Sequence, residues 1–403
     1  MLLKIAWRNV WRSPLRSFVV IGSVAVGIWS VITLLGFSLG LVQGFIDNAL
    51  RYQVSHIQLH HPDFPEDKEI QFVLSEASDK VDEINQMNGV ASTTMRTLVN
   101  GMISTAAGTR GGTVRGIEPE TEATTTSLKE KIIEGTYFSN KKNQLLVGKP
   151  LAKKLNLKLR KKVVIQFQNL EGDIVAGAFR VVGIYDTKNT LYDEMNVFVK
   201  RTDLNRLLGD PNIAHEIAIY LEDVKTLEAD VSTLQSKYPN VLTENYRAIS
   251  PDVKLYETNI GVSSTIFIFL FMLALIFGII NTMLMAVLER NKELGMLMAV
   301  GMNKGKVFKM ILLETIFLGI VGAPIGIFLS WLTIMYFSNI GLDLTSFAAG
   351  LEQMGMDTII YPVSDPSLYF QISIAVVLTA FLAAIYPALK AIKLQPVEAM
   401  RKI

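Results

Sequence analysis

The sequence predicts an α-helical membrane protein with four transmembrane helices, one before and three after a large α+β extracytoplasmic domain. Half of the 403 residues are hydrophobic, and they concentrate in a few long runs. Each run lacks Asp, Glu, Lys and Arg and exceeds the ~20 residues that a helix needs to cross the hydrocarbon core. The four charge-free runs cover residues 17–46, 258–288, 315–342 and 366–389.

Composition narrows the class of function. The net charge is +2, which gives no support for a nucleic-acid partner. The chain has no cysteine, and this excludes disulfides, thiol catalysis, cysteine zinc sites and lipidation at an amino-terminal cysteine. The first apolar run is much longer than the roughly 7–15 residues of a signal peptide's apolar region, so we interpret it as an uncleaved first span.

Lysines and arginines in the short segments indicate the orientation, because such residues accumulate on the cytoplasmic side of a membrane. The segment 339–365 carries acids but no Lys or Arg, which places it on the opposite side. The basic segments hold Lys4, Arg8, Arg12 and Arg16; Arg290, Lys292, Lys304, Lys306 and Lys309; and Lys390, Lys393, Arg401 and Lys402. We therefore expect both termini in the cytoplasm and the large domain outside.

These observations fix the predicted boundaries. Four segments are expected to cross the membrane: 17–46, 258–288, 307–338 and 366–389. The cytoplasmic segments are an amphipathic lead 1–16, a short helix and turn 289–306, and a tail 390–403. The extracytoplasmic segments are the domain 47–257 and the loop 339–365.

The extracytoplasmic domain mixes strand-like and helix-like patterns. Runs of β-branched and aromatic residues predict strands, and apolar residues at helical spacing predict helices. The predicted strands are 163–168, 179–185 and 195–200, and the predicted helices are 149–157 and 223–238. The strand-rich stretch 102–193 is expected to be an inserted subdomain, and 47–100 together with 195–257 is expected to form the membrane-proximal subdomain.

The candidate catalytic and metal-binding patterns have simpler interpretations. "SHIQLHHP" places His56, Gln58 and His60 on one face of a strand, where two histidines are a weak candidate metal site. A solvated strand face is the favoured interpretation. The glycine-rich stretch 108–119 lacks a phosphate-binding spacing and is interpreted as a turn between strands. We therefore predict no catalytic residue and no metal ligand.

Small residues recur at every fourth position in two spans, where they let helices approach closely. A sliding helix interface and ordinary bundle packing both fit this pattern. The packing residues are Gly36, Gly40 and Gly44 in the first span and Gly322 and Gly326 in the third. Glu314 lies in the apolar part of the third span, and such an acid is a functional candidate by default. Its position near the cytoplasmic edge favours a structural, ion-paired acid.

The stretch "ERNKELGMLMAVGM", residues 289–302, predicts a short amphipathic cytoplasmic helix. Leu294, Leu297, Met298 and Gly301 share one side, and Glu289, Lys292, Glu293 and Met296 lie around another. Gly295 leaves room for a partner backbone, and Gly301 suits the carboxyl end of a helix. On these grounds, a helix that docks on a partner and a simple basic loop fit equally well.

Three stretches resemble the FtsX-like ABC-transporter permease superfamily, which includes MacB, LolC/LolE and FtsX. "ERNKELGMLMAVGMNKGKVFKMILLETIFLGIVGAPIG" is similar to its core signature, and "IAWRNVWRSPLRSFVVIGSVAVGI" and "YPALKAIKLQPVEAMR" are similar to its two ends. The signature positions are Glu289, Arg290, Glu293, Gly295, Ala299, Gly301 and Glu314. Leu294 stands where the family commonly has Ile, and Met400 stands for Leu.

The resemblance implies partners and a mechanism. Such permeases pair with each other, as identical or related subunits, and with a cytoplasmic ABC ATPase dimer that binds ATP and Mg. This chain shows no ATP-binding pattern, so the ATPase is expected on a separate polypeptide and no cofactor is expected on this one. The short helix then docks on the ATPase through Glu289, Arg290, Glu293, Gly295, Met296 and Gly301. ATP-driven closure is transmitted along the long spans to the outer domains.

Within the superfamily, length and a separate ATPase favour a lipoprotein-releasing permease of the LolC/LolE layout in the bacterial inner membrane. MacB-like efflux of peptides or drugs and FtsX-like signalling to a periplasmic hydrolase remain alternatives. Expected partners include a lipidated or amphipathic substrate, membrane lipid and, on the lipoprotein route, a periplasmic carrier. The predicted substrate path holds Phe37, Leu41, Phe45 and Ile266.

Overall fold

The computed structural model describes residues 2–353 and 355–393. The helices are α1 Leu2–Arg12, α2 Pro14–Ala49, α3 Phe64–Asp67, α4 Ala77–Ile84, α5 Pro119–Thr125, α6 Lys149–Lys154, α7 Thr190–Met195, α8 Arg201–Leu208, α9 Leu227–Lys237, α10 Tyr246–Ile249, α11 Pro251–Glu289, α12 Asn291–Ala299, α13 Lys304–Ile340, α14 Ala348–Gln353 and α15 Pro366–Ile392. Most of the predicted tail 390–403 lies outside the described residues, as does Met1 of the predicted lead.

Most of the strands are short, but three of them have ten or more residues. They are β1 Ile57–His60, β2 Val90–Thr105, β3 Gly108–Ile117, β4 Ile132–Gly135, β5 Gln144–Gly148, β6 Lys162–Gln168, β7 Ile174–Tyr185, β8 Asn196–Lys200, β9 Glu216–Leu221, β10 Leu242–Asn245, β11 Leu342–Asp343 and β12 Ile359–Ile360. The strands and helices predicted within 149–200 are confirmed. The helix predicted at 223–238 begins at Leu227, after a 3-10 turn that leaves Val224 exposed.

The chain forms two compact units. The helical unit comprises residues 1–41, 258–342 and 360–403, and the sheet unit comprises 42–257 and 343–359. Four helices are long and apolar enough to cross a membrane, as predicted: Ser17–Val54, Pro251–Glu289, Lys304–Ile340 and Pro366–Ile392. They extend beyond the charge-free runs because polar residues at their ends, such as Lys304 and Asp252, continue the same helices.

The helical unit is organised around α13, which buries one continuous stripe. The buried positions recur every three or four residues, the spacing of one helix face. They include Val307, Met310, Ile311, Glu314, Leu318, Gly322, Gly326 and Ile334. The amphipathic α1 packs on the same helix through Ala6 and Val10, and the ring of Trp7 meets that of Phe317 edge-on at 5.5 Å.

The repeated glycines occupy close approaches in the helical unit. A Cβ at Gly326 would lie 2.5 Å from the carbonyl oxygen of Ala25, so the backbones of α2 and α13 approach each other closely there. A Cβ at Gly40 would overlap the carbonyl oxygen of Tyr361, a residue that precedes α15. At Gly44, by contrast, a Cβ would meet no heavy atom of another element within 4 Å among the described residues, and the packing role of this glycine stays a prediction.

Gly40 and Gly44 form a matched pair for testing this packing. Gly40→Ala is expected to lower the free energy of unfolding by about 1–3 kcal/mol, because the added methyl group overpacks the contact with Tyr361. Gly44→Ala should be neutral or stabilising by up to about 1 kcal/mol, since alanine favours the helix. Unfolding of the full chain in mixed micelles measures both. Equal effects would contradict the close approach at Gly40.

The sheet unit contains a single ten-stranded sheet. Its strand order is β10-β1-β9-β2-β3-β8-β5-β7-β4, and β6 pairs with both β2 and β7. The pairs β3·β8 and β5·β7 are parallel, and the remaining pairs of this sheet are antiparallel. The 16-residue β2 continues from β9 to the β3 hairpin, so it links the strands of both predicted subdomains.

The predicted subdomain boundary is wrong at β8. Sequence analysis assigned 195–257 to the membrane-proximal part, yet β8 lies between β3 and β5, inside the strand-rich part. Val197 and Val199 are fully buried in the core that β5, β6 and β7 share. A short apolar strand carries no local signal of its neighbours, because strand order is set by long-range pairing.

The prediction of a solvated histidine face on β1 is also wrong. β1 lies between β10 and β9, and all four of its residues are buried. His56 accepts a hydrogen bond from the backbone N–H of Leu221 at 2.8 Å, and the ring nitrogens of His60 lie 3.0 Å from Gln58 Oε1 and the carbonyl oxygen of His215. His56 and His60 are therefore buried, hydrogen-bonded side chains with a structural role.

Two buried histidines predict an acid sensitivity of the sheet unit. Burial lowers the pKa of His56 to about 4, and burial lowers that of His215 to about 4 as well, against a hydrogen bond to Ile70. The fold therefore favours the neutral rings, and this stabilisation is complete above pH 6.5. As the pH falls from 6.5 to about 4, the free energy of unfolding decreases by about 3 kcal/mol for each residue.

Carbon-13 labelling of the four histidines in the full chain measures this directly. The resonances of His56 and His215 should keep their neutral positions until the pH approaches about 4. Single replacements by Gln assign the signals. A midpoint near 6.5 for either residue would contradict the buried, neutral state.

Candidate coupling site

The helix α12 ends because glycine allows the chain to reverse. Gly301 has φ +104°, a left-handed conformation that glycine adopts without a Cβ penalty. Its N–H donates to the carbonyl of Met298 at 3.1 Å, and the N–H of Met302 donates to that of Leu297 at 2.9 Å. This pair of bonds is a Schellman motif. It fixes α12 as a separate short helix before Asn303 caps α13.

The two sides of α12 differ from the predicted faces. Leu294 is 2% exposed and Gly295 is buried, so these residues form the inner side. Met296 is 58% and Val300 84% exposed, and Lys292, one turn before Met296, is exposed on the same outer side. Leu297 and Gly301, predicted to lie with Leu294, are exposed instead.

The exposed side of α12 includes Lys292, Met296, Leu297 and Val300, and we call these four residues the docking surface after the predicted contact with a partner. Exposed apolar residues at the end of a short helix are typical of a protein contact. An apolar recess of about 680 Å³ adjoins this surface and is lined by Leu2, Leu3, Ile5, Leu297, Val300, Gly301, Met302 and Lys306. The amino-terminal helix α1 therefore contributes to the same face as α12.

A chain of ion pairs holds α12 in place. Arg290 Nη1 lies 3.0 Å from Glu314 Oε1, and Arg290 Nε lies 3.2 Å from Glu293 Oε2. Arg12 Nη2 at the end of α1 lies 3.0 Å from Glu293 Oε1. The four side chains thus link α1, α12 and α13. Glu314 is ion-paired, as its position near the cytoplasmic edge predicted.

Burial separates the roles of these signature residues. The side chains of Arg290 and Glu314 are mostly buried, so Arg290 faces α13 and is a positioning residue rather than part of the docking surface. The side chains of Glu293 and Arg12 are more exposed, and an exposed pair contributes only ~0–1 kcal/mol. Glu289 is exposed and engaged in an interaction of its own.

Sequence reasoning missed Arg12 as part of this site. It counted Arg12 only as a positive charge on the cytoplasmic side. The amphipathic pattern of α1, with Ala6 and Val10 on one face, was the available signal that α1 packs on the bundle. The contact of Arg12 with Glu293, 281 residues away in the sequence, could not be predicted from neighbouring residues.

The predicted substrate-path residues occupy different places. Phe37 packs edge-on against Phe337 with ring centroids 5.5 Å apart, and Leu41 is half-buried. Ile266 is exposed on α11, and Phe45 is buried in the sheet unit against Tyr256, 4.6 Å between ring centroids. Their joint role in a path stays a prediction. Among the described residues, no three His, Asp or Glu side chains cluster as metal ligands.

Two family models match this chain. The FtsX-like permease C-terminal model matches residues 265–396, which include α12 and the Arg290–Glu314 pair. The MacB-like periplasmic core domain model matches residues 17–236, more than half of the chain. The chain belongs to the FtsX-like permease family with a MacB-like periplasmic core domain. The sheet unit contains most of the matched periplasmic core domain.

Relatives of this FtsX-like permease agree with the assignment. The ABC transporter permease YtrF of Bacillus subtilis is 28% identical over 56% of this chain and 52% of that protein. The macrolide export ATP-binding/permease protein MacB of Bordetella avium is 27% identical over 55% of this chain and 33% of that protein. The chain thus spans about half the length of the first relative and about a third of the second.

Solved structures of periplasmic regions also match, with low scores. The periplasmic region of MacB from Actinobacillus actinomycetemcomitans matches with a TM-score of 0.36 and 12% identity, over 52% of this chain and 97% of that one. The family assignment rests on the two sequence models.

Proposed function

We propose that this permease couples ATP hydrolysis by a cytoplasmic ABC ATPase dimer to export of an amphipathic substrate at the outer face of the membrane. The observation that carries the proposal is α12, a separate helix that is fixed to α13 by the Arg290–Glu314 pair and presents Met296 and Val300 outward. Force applied to this surface passes to α13 through a buried ion pair, which is a rigid connection.

The charge pattern supports the orientation in this proposal. Docking on a cytoplasmic ATPase requires α12 and both termini inside, and the basic residues around α12 agree with that side. A second permease, identical or related, completes the transporter, and the ATPase supplies the site for ATP and Mg. The long α2 and α11 then carry the motion outward.

The substrate class is proposed from the relatives. Several MacB proteins, named for macrolide export, match this chain, which favours efflux of amphipathic molecules. Lipoprotein release with a periplasmic carrier was predicted from layout and remains the alternative, as does signalling to a periplasmic hydrolase. Membrane lipid surrounds the spans in each case.

Reconstitution with the ATPase in proteoliposomes tests the proposal. We expect an amphipathic macrolide to raise ATP hydrolysis several-fold and to be exported. Met296→Asp combined with Val300→Asp should abolish this stimulation, since a charge in an apolar contact costs several kcal/mol. Leu3→Asp, in the adjoining recess, should weaken it less.

The outcomes separate the candidates. ATP-dependent release of a lipidated protein without macrolide export would replace efflux by lipoprotein release. Activation of a hydrolase without release of either substrate would indicate signalling. Full stimulation in the double aspartate variant would contradict docking through α12.

A further inference from the structure

The sheet unit contains two adjoining cavities that the proposed function leaves without a role. The first has a volume of about 310 Å³ and lies beside β1, where His60, Phe64 and Glu216 contribute to its wall. The second has a volume of about 520 Å³ and is lined by a mixture of polar and apolar side chains, with Phe45, Leu191 and Tyr192 among the aromatic and apolar ones. Both volumes suit an organic ligand of moderate size.

The two cavities share one wall. Its members are Gln53, Lys68, Thr113 and Arg115. Two of these four side chains are cationic, and none is acidic. The acids Glu216, Glu244 and Asp252 each line only one cavity. Positive charge therefore concentrates at the junction, defined here as the four shared residues.

Arg115 has an unused donor at the junction. Its Nε donates to Asn196 Oδ1 at 2.8 Å, and its guanidinium carbon lies 5.5 Å from the ring centroid of Tyr192. Its Nη1 is buried and has no hydrogen-bond partner within the described part of the chain. Buried polar atoms are almost always paired, and the residue that carries this unpaired nitrogen lines both cavities, so an acceptor on a bound ligand would satisfy it.

The other charges near the junction do not supply that acceptor. Burial alone would raise the pKa of Glu216, but Arg96, Arg115 and His60 hold its pKa below the usual value. Its Oε1 already accepts from Arg96 Nη1 at 2.6 Å. Lys68 is exposed at the end of α3 and carries a second positive charge to the same wall.

We propose that this junction binds the anionic oxygen group of an amphiphilic molecule. Arg115 and Lys68 bind the carboxylate or phosphate group, because a guanidinium donates well to planar or tetrahedral oxyanions. The apolar part of the molecule lies in the second cavity, along Phe45, Leu191 and Tyr192. This goes beyond the proposed function, because it assigns a binding site for anionic amphiphiles in the sheet unit, and its binding test does not depend on transport.

Binding can be measured on the full chain in nanodiscs without ATPase or ATP. The chain has no cysteine, so Leu191→Cys gives a single site for an environment-sensitive fluorophore at the second cavity. The probes are dodecanoate, dodecyl phosphate, dodecanol and acetate. In a control variant, Ser236→Cys places the same fluorophore on α9, outside both cavities. Its fluorescence reports changes that arise only from partition of the probe into the lipid.

We expect dodecanoate, dodecyl phosphate or both to change the fluorescence at position 191 with saturation. The relative affinities of the two then distinguish a carboxylate from a phosphate ligand. Dodecanol and acetate should each bind at least about tenfold more weakly, since one lacks the charge and the other the chain. Equal binding of dodecanol, or no saturable binding of either anion, would overturn the proposal.

Variants test the junction itself. Arg115→Gln and Lys68→Gln should each raise the Kd of the bound anion, by about tenfold or more for Arg115, which corresponds to the ~1.4 kcal/mol of one charged hydrogen bond. Arg110→Gln, an exposed arginine of the same strand β3, should change it less than twofold. Arg115→Lys keeps the positive charge and is the control for misfolding of the Gln variant. We expect it to bind the anion with an intermediate Kd. Unchanged affinity in both Gln variants would overturn the assignment, whether or not α12 couples to an ATPase.

Discussion

Arg290→Met is expected to abolish substrate-stimulated ATP hydrolysis by the transporter. Arg290 joins Glu314 of α13 to Glu293 of α12 at 3.0 and 3.2 Å, so its loss detaches the short helix from the span. Removing one partner of a buried ion pair typically costs about 3–5 kcal/mol. We therefore expect both a lower unfolding free energy and at least a tenfold loss of stimulation in reconstituted complex.

Two further variants distinguish coupling from general damage. Lys309→Met removes an exposed charge on α13, outside the docking surface, and should leave the unfolding free energy within about 0.5 kcal/mol of the parent. The exchange Arg290→Glu with Glu314→Arg rebuilds the pair in reverse and should recover part of the stability. If Arg290→Met kept full stimulation, the ion pair would have no part in coupling.

Arg96→Met is expected to cause the largest loss of stability in the sheet unit. Arg96 on β2 is 1% exposed. It donates to both carboxylate oxygens of Glu122, at 3.0 and 2.8 Å, and to Glu216 Oε1 at 2.6 Å. Methionine would leave two buried carboxylates without their cation, which costs at least about 3–5 kcal/mol.

Hydrogen exchange of the full chain measures this effect by region. Protection should fall in β2, β9 and α5, which carry Arg96, Glu216 and Glu122, and should remain unchanged in the helical unit. Arg96→Lys keeps the charge but loses the fork geometry, and an intermediate loss is expected. Arg180→Met on β7, where the arginine is exposed, serves as the matched control. Similar protection in the Met variants of Arg96 and Arg180 would contradict a structural role for the buried triad.

Local patterns predicted the features that depend on local chemistry. The charge-free runs predicted four spans because a membrane helix needs continuous apolar sequence. The glycine at position 301 predicted the end of α12, and the family signature brought Arg290, Glu293 and Glu314 together as candidates before their contacts were known. Each of these rests on residues close in sequence or on a recognisable motif.

Features that depend on distant pairing could not be predicted. Arg12 meets Glu293 across 281 positions, and β8 enters the sheet between strands that begin more than 50 residues before it. His56 and His60 alternate like a solvated face, yet both neighbours of β1 and the packing around it bury them. The orientation of Arg290 toward α13, away from the docking surface, likewise required the packed helices.

Crosslinking from position 300 tests the central claim most directly. Because the chain lacks cysteine, Val300→Cys offers a single thiol on the docking surface, and Ala107→Cys offers one at the exposed tip of the β2–β3 hairpin. In assembled complex, a short thiol-reactive photocrosslinker at position 300 should join the permease to the ATPase, and one at position 107 should not. Assembled complex with no crosslink from position 300 would contradict the account.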